Sequence, residues 1–156
     1  MLDQTSDETP ETVARKAWLS LLATAAEGRA AKLLEPLSVP ADFALLRAAE
    51  IGSVMVRGRA GGTGAPFNLG EVTVTRCSVK LATGETGHGY IQGRRKEDAQ
   101  TAALIDALMQ TSAATTLQTE VLEPLKREQH DRAQSRAAKA AATKVEFFTM
   151  VRGEDQ

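Results

Sequence analysis

Apolar positions along the first forty residues recur at helical spacing. Thr9-Pro10 reads as an N-cap followed by a proline in the first turn, with Glu11 beside it to complement the helix dipole. Val13, Ala17, Leu21 and Ala14, Trp18, Leu22, Ala25 then recur at three- to four-residue steps, which predicts an amphipathic helix. Gly28 reads as its stop, and Leu33, Leu34 and Leu37 mark a second, shorter helix ended by Pro40. The two predict a helical hairpin packed on the rest of the domain.

Between about residues 52 and 93 the period changes to two, which predicts antiparallel sheet. Val54 and Val56 point one way, and Met55, Arg57 and Arg59 the other. In the next strand Thr73, Thr75, Cys77, Val79 and Leu81 share a face, opposite Val72, Val74, Arg76, Ser78 and Lys80. A turn over 82–86 leads to a third strand in which His88, Tyr90 and Gln92 alternate with Gly89 and Ile91. If the polar sets lie together, one face carries Arg57, Arg59, Arg76, Lys80, His88, Tyr90 and Gln92.

Helical spacing returns over about 96–112, with Glu97 and Asp98 in the first turn and Thr101, Leu104, Ile105 and Leu108 as the expected buried stripe. Pro124 suits the start of another helix, with Glu123–Arg127 and Glu128–Arg132 at i,i+4. Beyond Leu125 that helix has no large apolar residue before Val145, only charges and an alanine-rich run over 137–142. So polar a helix either projects or packs an alanine seam against something else. Residues 145–151 read as a short apolar strand. The expected fold is α+β: an N-terminal helical hairpin, antiparallel sheet over about 52–93 plus 145–151, and two C-terminal helices. Residues 1–12 read as a disordered acidic tail ahead of a single domain over 13–153.

Composition changes this picture in one respect. Of 156 residues, 26 are alanine, while Leu, Ile, Val and Phe together number 33 and aromatics only six. That is barely above the roughly 20% Leu+Ile+Val+Phe below which chains tend to disorder, so the core is expected to be thin and to lean on partner surface. The net charge of −1 names no partner, yet residues 47–95 carry seven bases against three acids. Nucleic acid is a poor fit to that basic stretch, because only Phe67 and Tyr90 are there to stack on bases. No apolar run approaches a membrane span, and the first dozen residues carry four acids and no base, the reverse of a signal peptide. The single cysteine, Cys77, suits a reducing cytoplasm, and Cys77, His88 and His130 are too scattered for a zinc site, so no metal is expected.

The main chemical signal is the run Arg57-Gly58-Arg59-Ala60-Gly61-Gly62-Thr63-Gly64. Its glycines let N–H groups converge on an anion, and the arginines add bidentate donors. The plainer reading is a turn needing positive φ. It is neither a Walker loop, lacking Gly-Lys-Ser/Thr, nor a dinucleotide fingerprint, lacking a helix pattern after Gly64. Cys77 reads as a buried small hydrophobe rather than a nucleophile, His130 as solvated, and Asp106, inside an apolar stripe, as the partner of an arginine. His88 reads as a surface or packing histidine, with general base or phosphate donor as the alternative. Spacing nominates no catalytic group. The candidate phosphate-binding set is Arg57, Arg59, Gly61, Gly62, Thr63, Gly64, Arg76 and His88.

An ordered series of segments carries a resemblance: 47–52, 54–55, Arg59 through Gly64 with Phe67, 70–71, 73–76, Gly93-Arg94, 103–108 and 147–153. Together they resemble the G-subunit (PhnG) family of the bacterial phosphonate carbon–phosphorus lyase system, from about Lys16 to Gly153. Arg95 stands where an acidic or neutral residue is expected. The resemblance implies a cytoplasmic core complex with H, I and J subunits, two copies of each beside two of this chain. In that complex the phosphonate displaces adenine from ATP, giving ribose 1-methylphosphonate 5-triphosphate. It further implies a nucleosidase-like I subunit, an iron–sulfur cluster on the J subunit, and no cofactor in this chain, ATP being a substrate of the assembly. The competing reading is a free-standing phosphoester- or nucleotide-binding module using the Gly61–Gly64 loop.

Overall fold

The computed structural model describes residues 9–39 and 42–143. Helix α1 (Pro10–Thr24) starts where the N-cap signal places it, the Thr9 hydroxyl accepting the Thr12 N–H at 3.3 Å. It therefore takes in residues 10–12 of the expected acidic tail. Gly28 adopts φ +67, a left-handed conformation that suits glycine, and its N–H reaches Asp98 at 3.0 Å. Helix α2 (Arg29–Leu34) and a 3-10 turn (Glu35–Leu37) complete the hairpin. Pro40 and the predicted strand over 145–151 lie outside the described residues.

Strands β1 (Phe43–Arg59), β2 (Pro66–Leu81) and β3 (Thr86–Gln92) form one antiparallel meander, in the order β1-β2-β3. The α+β class holds, but the sheet starts nine residues earlier than the alternation indicates. The cause is two register shifts in β1, between Leu45 and Arg47 and between Arg47 and Glu50. Each inserts an extra residue and resets the two-residue period, so 43–51 does not alternate. β3 pairs only with residues 74–80 of β2. The remainder of β1 and β2 runs on as a two-stranded arm.

One sheet face carries the core. Thr75, Cys77, Val79, Leu81 and Ile91 are buried under α3 (Lys96–Leu108), as their parity predicts. The stripe expected on α3 needs correction: Ile105 and Leu108 are buried, but Thr101 and Leu104 are only half-buried. The tightest contact is made by Ala99, Ala103 and Ala107, one turn apart and fully buried. They lie directly on Gly87 and Gly89 of β3, where an added Cβ would fall 2.0 Å from the Ala103 carbonyl oxygen and 1.9 Å from that of Ala99. Backbone meets backbone there, so only glycine opposite alanine fits. Trp18, Leu21 and Leu22 of α1, and Ala25 just past its end, pack against the core, whereas Val13 and Ala17 are exposed.

The C-terminal helix is continuous: α4 (Ala114–Leu117), a π turn (Gln118–Leu122) and α5 (Glu123–Ala142). Pro124, in the first turn of α5, lacks an N–H and crowds the carbonyl four residues back; the widened π turn sits just upstream, with the Glu123 N–H bonding Gln118 five residues earlier. Leu117, Val121, Leu122 and Leu125 enter the core. From Asp131 to Thr143 every residue is exposed, so this half of α5 projects. Glu128 pairs with Arg29 at 2.8 Å rather than with Arg132, and Gln118 donates to Glu123 at 3.0 Å. The cluster of buried apolar residues has 17 members, six of them alanine, so the core is thin as composition predicts. No helix among the described residues is long and apolar enough to cross a membrane.

Candidate functional site

The sheet face opposite α3 bears most of the charge. Cross-strand register sets Arg76 beside Tyr90, Ser78 beside His88, and Lys80 beside Thr86. On the other side Glu50 pairs with Arg76 and Arg47 with Ser78. Glu50 Oε1 accepts from Arg76 Nε at 2.6 Å and from an Arg47 terminal nitrogen at 2.7 Å. The Ser78 hydroxyl lies 2.9 Å from His88 Nδ1. Residues two apart on a strand are about 6.6 Å apart, so the Ser78–His88 pair is flanked by Arg76 and Lys80 and faced by Arg47. Three permanent cations and one carboxylate make this a positive surface that no described element covers. Arg76, Lys80, His88, Tyr90 and Gln92 thus share a face, as the alternation implies.

Arg57 and Arg59 do not join them. From Glu50 to Arg59 β1 itself carries no inserted residue; the shift between Val56 and Arg57 places its extra residue, Leu69, in β2. The odd positions of β1 therefore lie on the face opposite Glu50 and Arg76. Arg57 is also seven residues past Glu50, about 23 Å along the strand. The expected single phosphate-binding face divides into a sheet half, with Arg76 and His88, and a hairpin-tip half. At the tip Gly61 and Gly62 hold φ +58 and +80, conformations that favour glycine. The Gly64 N–H donates to the Ala60 carbonyl at 2.8 Å, and Arg59 donates to the Gly64 carbonyl at 3.2 Å. Two of the donors that the anion reading needs are thus used within the loop, and Thr63 is exposed beside them.

Strand parity could have paired Arg76 with His88. It could not have found Arg47 or Glu50, which are hidden by the bulges. The Arg76 guanidinium, with Arg47 beside it, holds the Glu50 carboxyl below the ordinary 4.5. This ion cluster therefore contributes above the ordinary glutamate range and is lost as pH falls through the lowered value. In a carboxyl NMR titration Glu50 should titrate below 4.5, and Arg76→Ala should move it upward. An unmoved midpoint would break the assignment.

The remaining candidates are structural. Cys77 is 1% exposed, its thiol donates to the Arg47 carbonyl at 3.3 Å, and burial pushes its pKa up, all unsuited to a nucleophile. His130 is exposed, as expected of a solvated histidine, with Gln134 beside it at 2.8 Å. Asp106 is fully buried and accepts from Arg15 at 2.7 and 3.1 Å, from Trp18 Nε1 at 2.8 Å and from the His88 N–H at 2.8 Å. Arg15 and Gln110 also donate to the Thr86 carbonyl, at 3.1 and 2.8 Å. Together these groups satisfy polar backbone positions on the outer edge of β3, which would otherwise stand open. The predicted arginine partner of Asp106 is therefore Arg15.

These features define an open-faced α+β protein that displays its charged groups on an uncovered sheet and a projecting hairpin. The profile of the family described as "Phosphonate metabolism protein PhnG" matches residues 13–153. A protein of Rhizobium meliloti (strain 1021), described as "Alpha-D-ribose 1-methylphosphonate 5-triphosphate synthase subunit PhnG", is 43% identical over 141 residues, covering 90% of each chain. The chain belongs to the PhnG family of phosphonate metabolism proteins.

Proposed function

We propose that this chain is an accessory subunit of a cytoplasmic phosphonate C–P lyase core complex. That complex forms α-D-ribose 1-methylphosphonate 5-triphosphate from ATP and methylphosphonate, with release of adenine. In this reading the H, I and J subunits are its partners, two copies of each with two of this chain. The nucleosidase-like I subunit is its most direct neighbour and performs the displacement; the iron–sulfur cluster belongs to the J subunit. The observation that carries the reading is the hairpin formed by β1 and β2. Six of the eight large apolar side chains exposed among the described residues lie on it: Leu45, Leu46, Ile51, Met55, Phe67 and Leu69. A two-stranded ribbon is marginal alone in water, and such a set of exposed apolar groups fits a surface completed by another chain. The expected contact is obligate in kind, on the order of 2,000 Å² or more.

Tagging the chain in its native host and identifying co-purifying proteins by mass spectrometry tests this reading. Met55→Asp with Leu69→Asp should cut recovery of partners at least tenfold while leaving the circular dichroism unchanged. A chain that purifies as a stable monomer with two-state unfolding and turns over ATP unaided would overturn it.

Substrate contact by this chain is the second half of the proposal. The uncovered Arg76–Ser78–His88–Lys80 surface favours the sheet half over the tip, because the tip's donors are engaged internally. Arg76→Ala in the assembled complex should then lower ATP turnover about tenfold without dispersing it, and Arg59→Ala should lower it far less. Equal, wild-type kinetics in both would remove substrate contact. A free-standing nucleotide-binding module would instead give calorimetric binding of ATP to the isolated chain, abolished by changes at Gly61–Gly64.

A further inference from the structure

A second cationic site is built from arginines other than those of the Arg76 surface. A groove of about 670 Å³ runs between the C-terminal end of α1, the last residues of β3 and the projecting half of α5. Arg95, Arg132 and Arg136 line it together with Gln92, Gln129 and Ser135, and no carboxylate among the described residues lines it. Arg95 and the two α5 arginines come from distant parts of the chain, so only folding assembles them.

Their bonding is unequal. Arg95 is fixed: it donates to the Gln92 carbonyl at 3.2 and 3.3 Å, to the Ala25 carbonyl at 3.0 Å and to Asp98 at 2.9 Å. Arg132 makes one long contact, 3.4 Å to the Thr24 carbonyl. Arg136 has no hydrogen-bond or ion-pair partner among the described residues. Covering the C-terminal carbonyls of α1 accounts for Arg95 and, weakly, for Arg132. It does not account for Arg136. Arg132 and Arg136 are one turn apart on α5, an arrangement in which like charges repel, and this half of the helix buries nothing that would compensate. Two guanidiniums about 6 Å apart along the axis, with the Ser135 hydroxyl nearby and an amide at Gln129, make a donor set able to grip a multiply charged oxyanion from one side.

We infer that the Arg95–Arg132–Arg136 groove binds a small polyanion bearing phosphate groups. Arg132 and Arg136 supply the adjustable contacts, and Arg95 the fixed wall. This site stands whether or not the chain works as an accessory subunit, and it uses none of the charged residues assigned to the sheet face, sharing only Gln92 with it. An acidic side chain of a partner protein is the rival occupant. The absence of a lining carboxylate among the described residues and the room in the groove, well beyond that needed by one carboxylate, favour the small polyanion.

The test is titration of the full chain, alone or in the assembly with which it purifies, with inorganic tripolyphosphate. Binding is followed by calorimetry and by the amide resonances of Gln92, Gly93 and Ser135. Those three amides should shift, and Arg132→Ala with Arg136→Ala should weaken binding at least tenfold. Arg127→Ala, on the same helix but outside the groove, should change it less than twofold. Equal weakening by Arg127→Ala would mean diffuse attraction to a basic helix and would overturn the site. So would unshifted groove amides. A third outcome also defeats it: Arg132→Glu with Arg136→Glu disperses the assembly while tripolyphosphate affinity is unaltered, which assigns the groove to an acidic partner.

Discussion

Gly89→Ala should destabilise the chain by at least about 3 kcal/mol, at the upper end of what overpacking usually costs. The added methyl would sit 1.9 Å from the Ala99 carbonyl oxygen and 2.9 Å from the Ala103 nitrogen. Both are backbone atoms of α3, so no side-chain rotation relieves the clash. The whole helix would have to lift from the sheet, withdrawing Ile105 and Leu108, which are 0% and 4% exposed, from a core with few large side chains. For a chain of this size that loss corresponds to roughly 6–12 °C in Tm. Gly52→Ala is the control: nothing lies within 4 Å of its added Cβ, and its φ is not positive. It should stay within about 0.5 kcal/mol of the parent. Urea or thermal unfolding, in whatever state the chain purifies, decides the matter. An unchanged midpoint for Gly89→Ala would mean that α3 does not rest on β3 through these glycines.

Asp106→Ala should cost about 3–5 kcal/mol, the range found when one partner of a buried ion pair is removed. The change strands three donors at once: the Arg15 guanidinium, the Trp18 indole N–H and the His88 backbone N–H. Arg15 is about one-third exposed and can turn toward water, but the His88 N–H on the strand edge has no described substitute. Asp106→Asn keeps an oxygen for one or two of these donors and loses the charge, so its cost should be smaller. Hydrogen exchange adds a local readout. The His88 amide should lose protection in both variants, more in Asp106→Ala, before the amides of β2 do. A carboxylate that could be deleted with less than about 1 kcal/mol lost would not tie α1, α3 and β3 together.

Much of this architecture is legible from periodicity. Thr9-Pro10 marks the start of α1 because capping is a local interaction, complete within four residues. Inward parity for Thr75, Cys77, Val79 and Leu81 is readable because β2 is regular over that stretch. Asp106 announces its need for a partner by standing in an apolar stripe, since a carboxylate there must be paired. The first half of β1 is not legible, because bulges erase the alternation that would reveal a strand. Nor is the role of Gly87 and Gly89, which flank His88 and resemble spacers until α3 is laid across them. Periodicity favours the larger Thr101 and Leu104 over the alanines of α3, because size is a poor guide where backbones nearly touch.

Local sequence, then, establishes what depends on neighbours along the chain: helix starts, strand phase, the thin apolar content and the ordered segments that mark the family. Tertiary structure alone decides which distant charges meet. It separates Arg57 and Arg59 from Arg76 by strand phase and about 23 Å of strand, and it gathers Arg95 with Arg132 and Arg136. The reason is geometric. A side chain's face is set by the parity of its own strand or helix, whereas its partners are set by register between elements, and one bulged residue is enough to change that register.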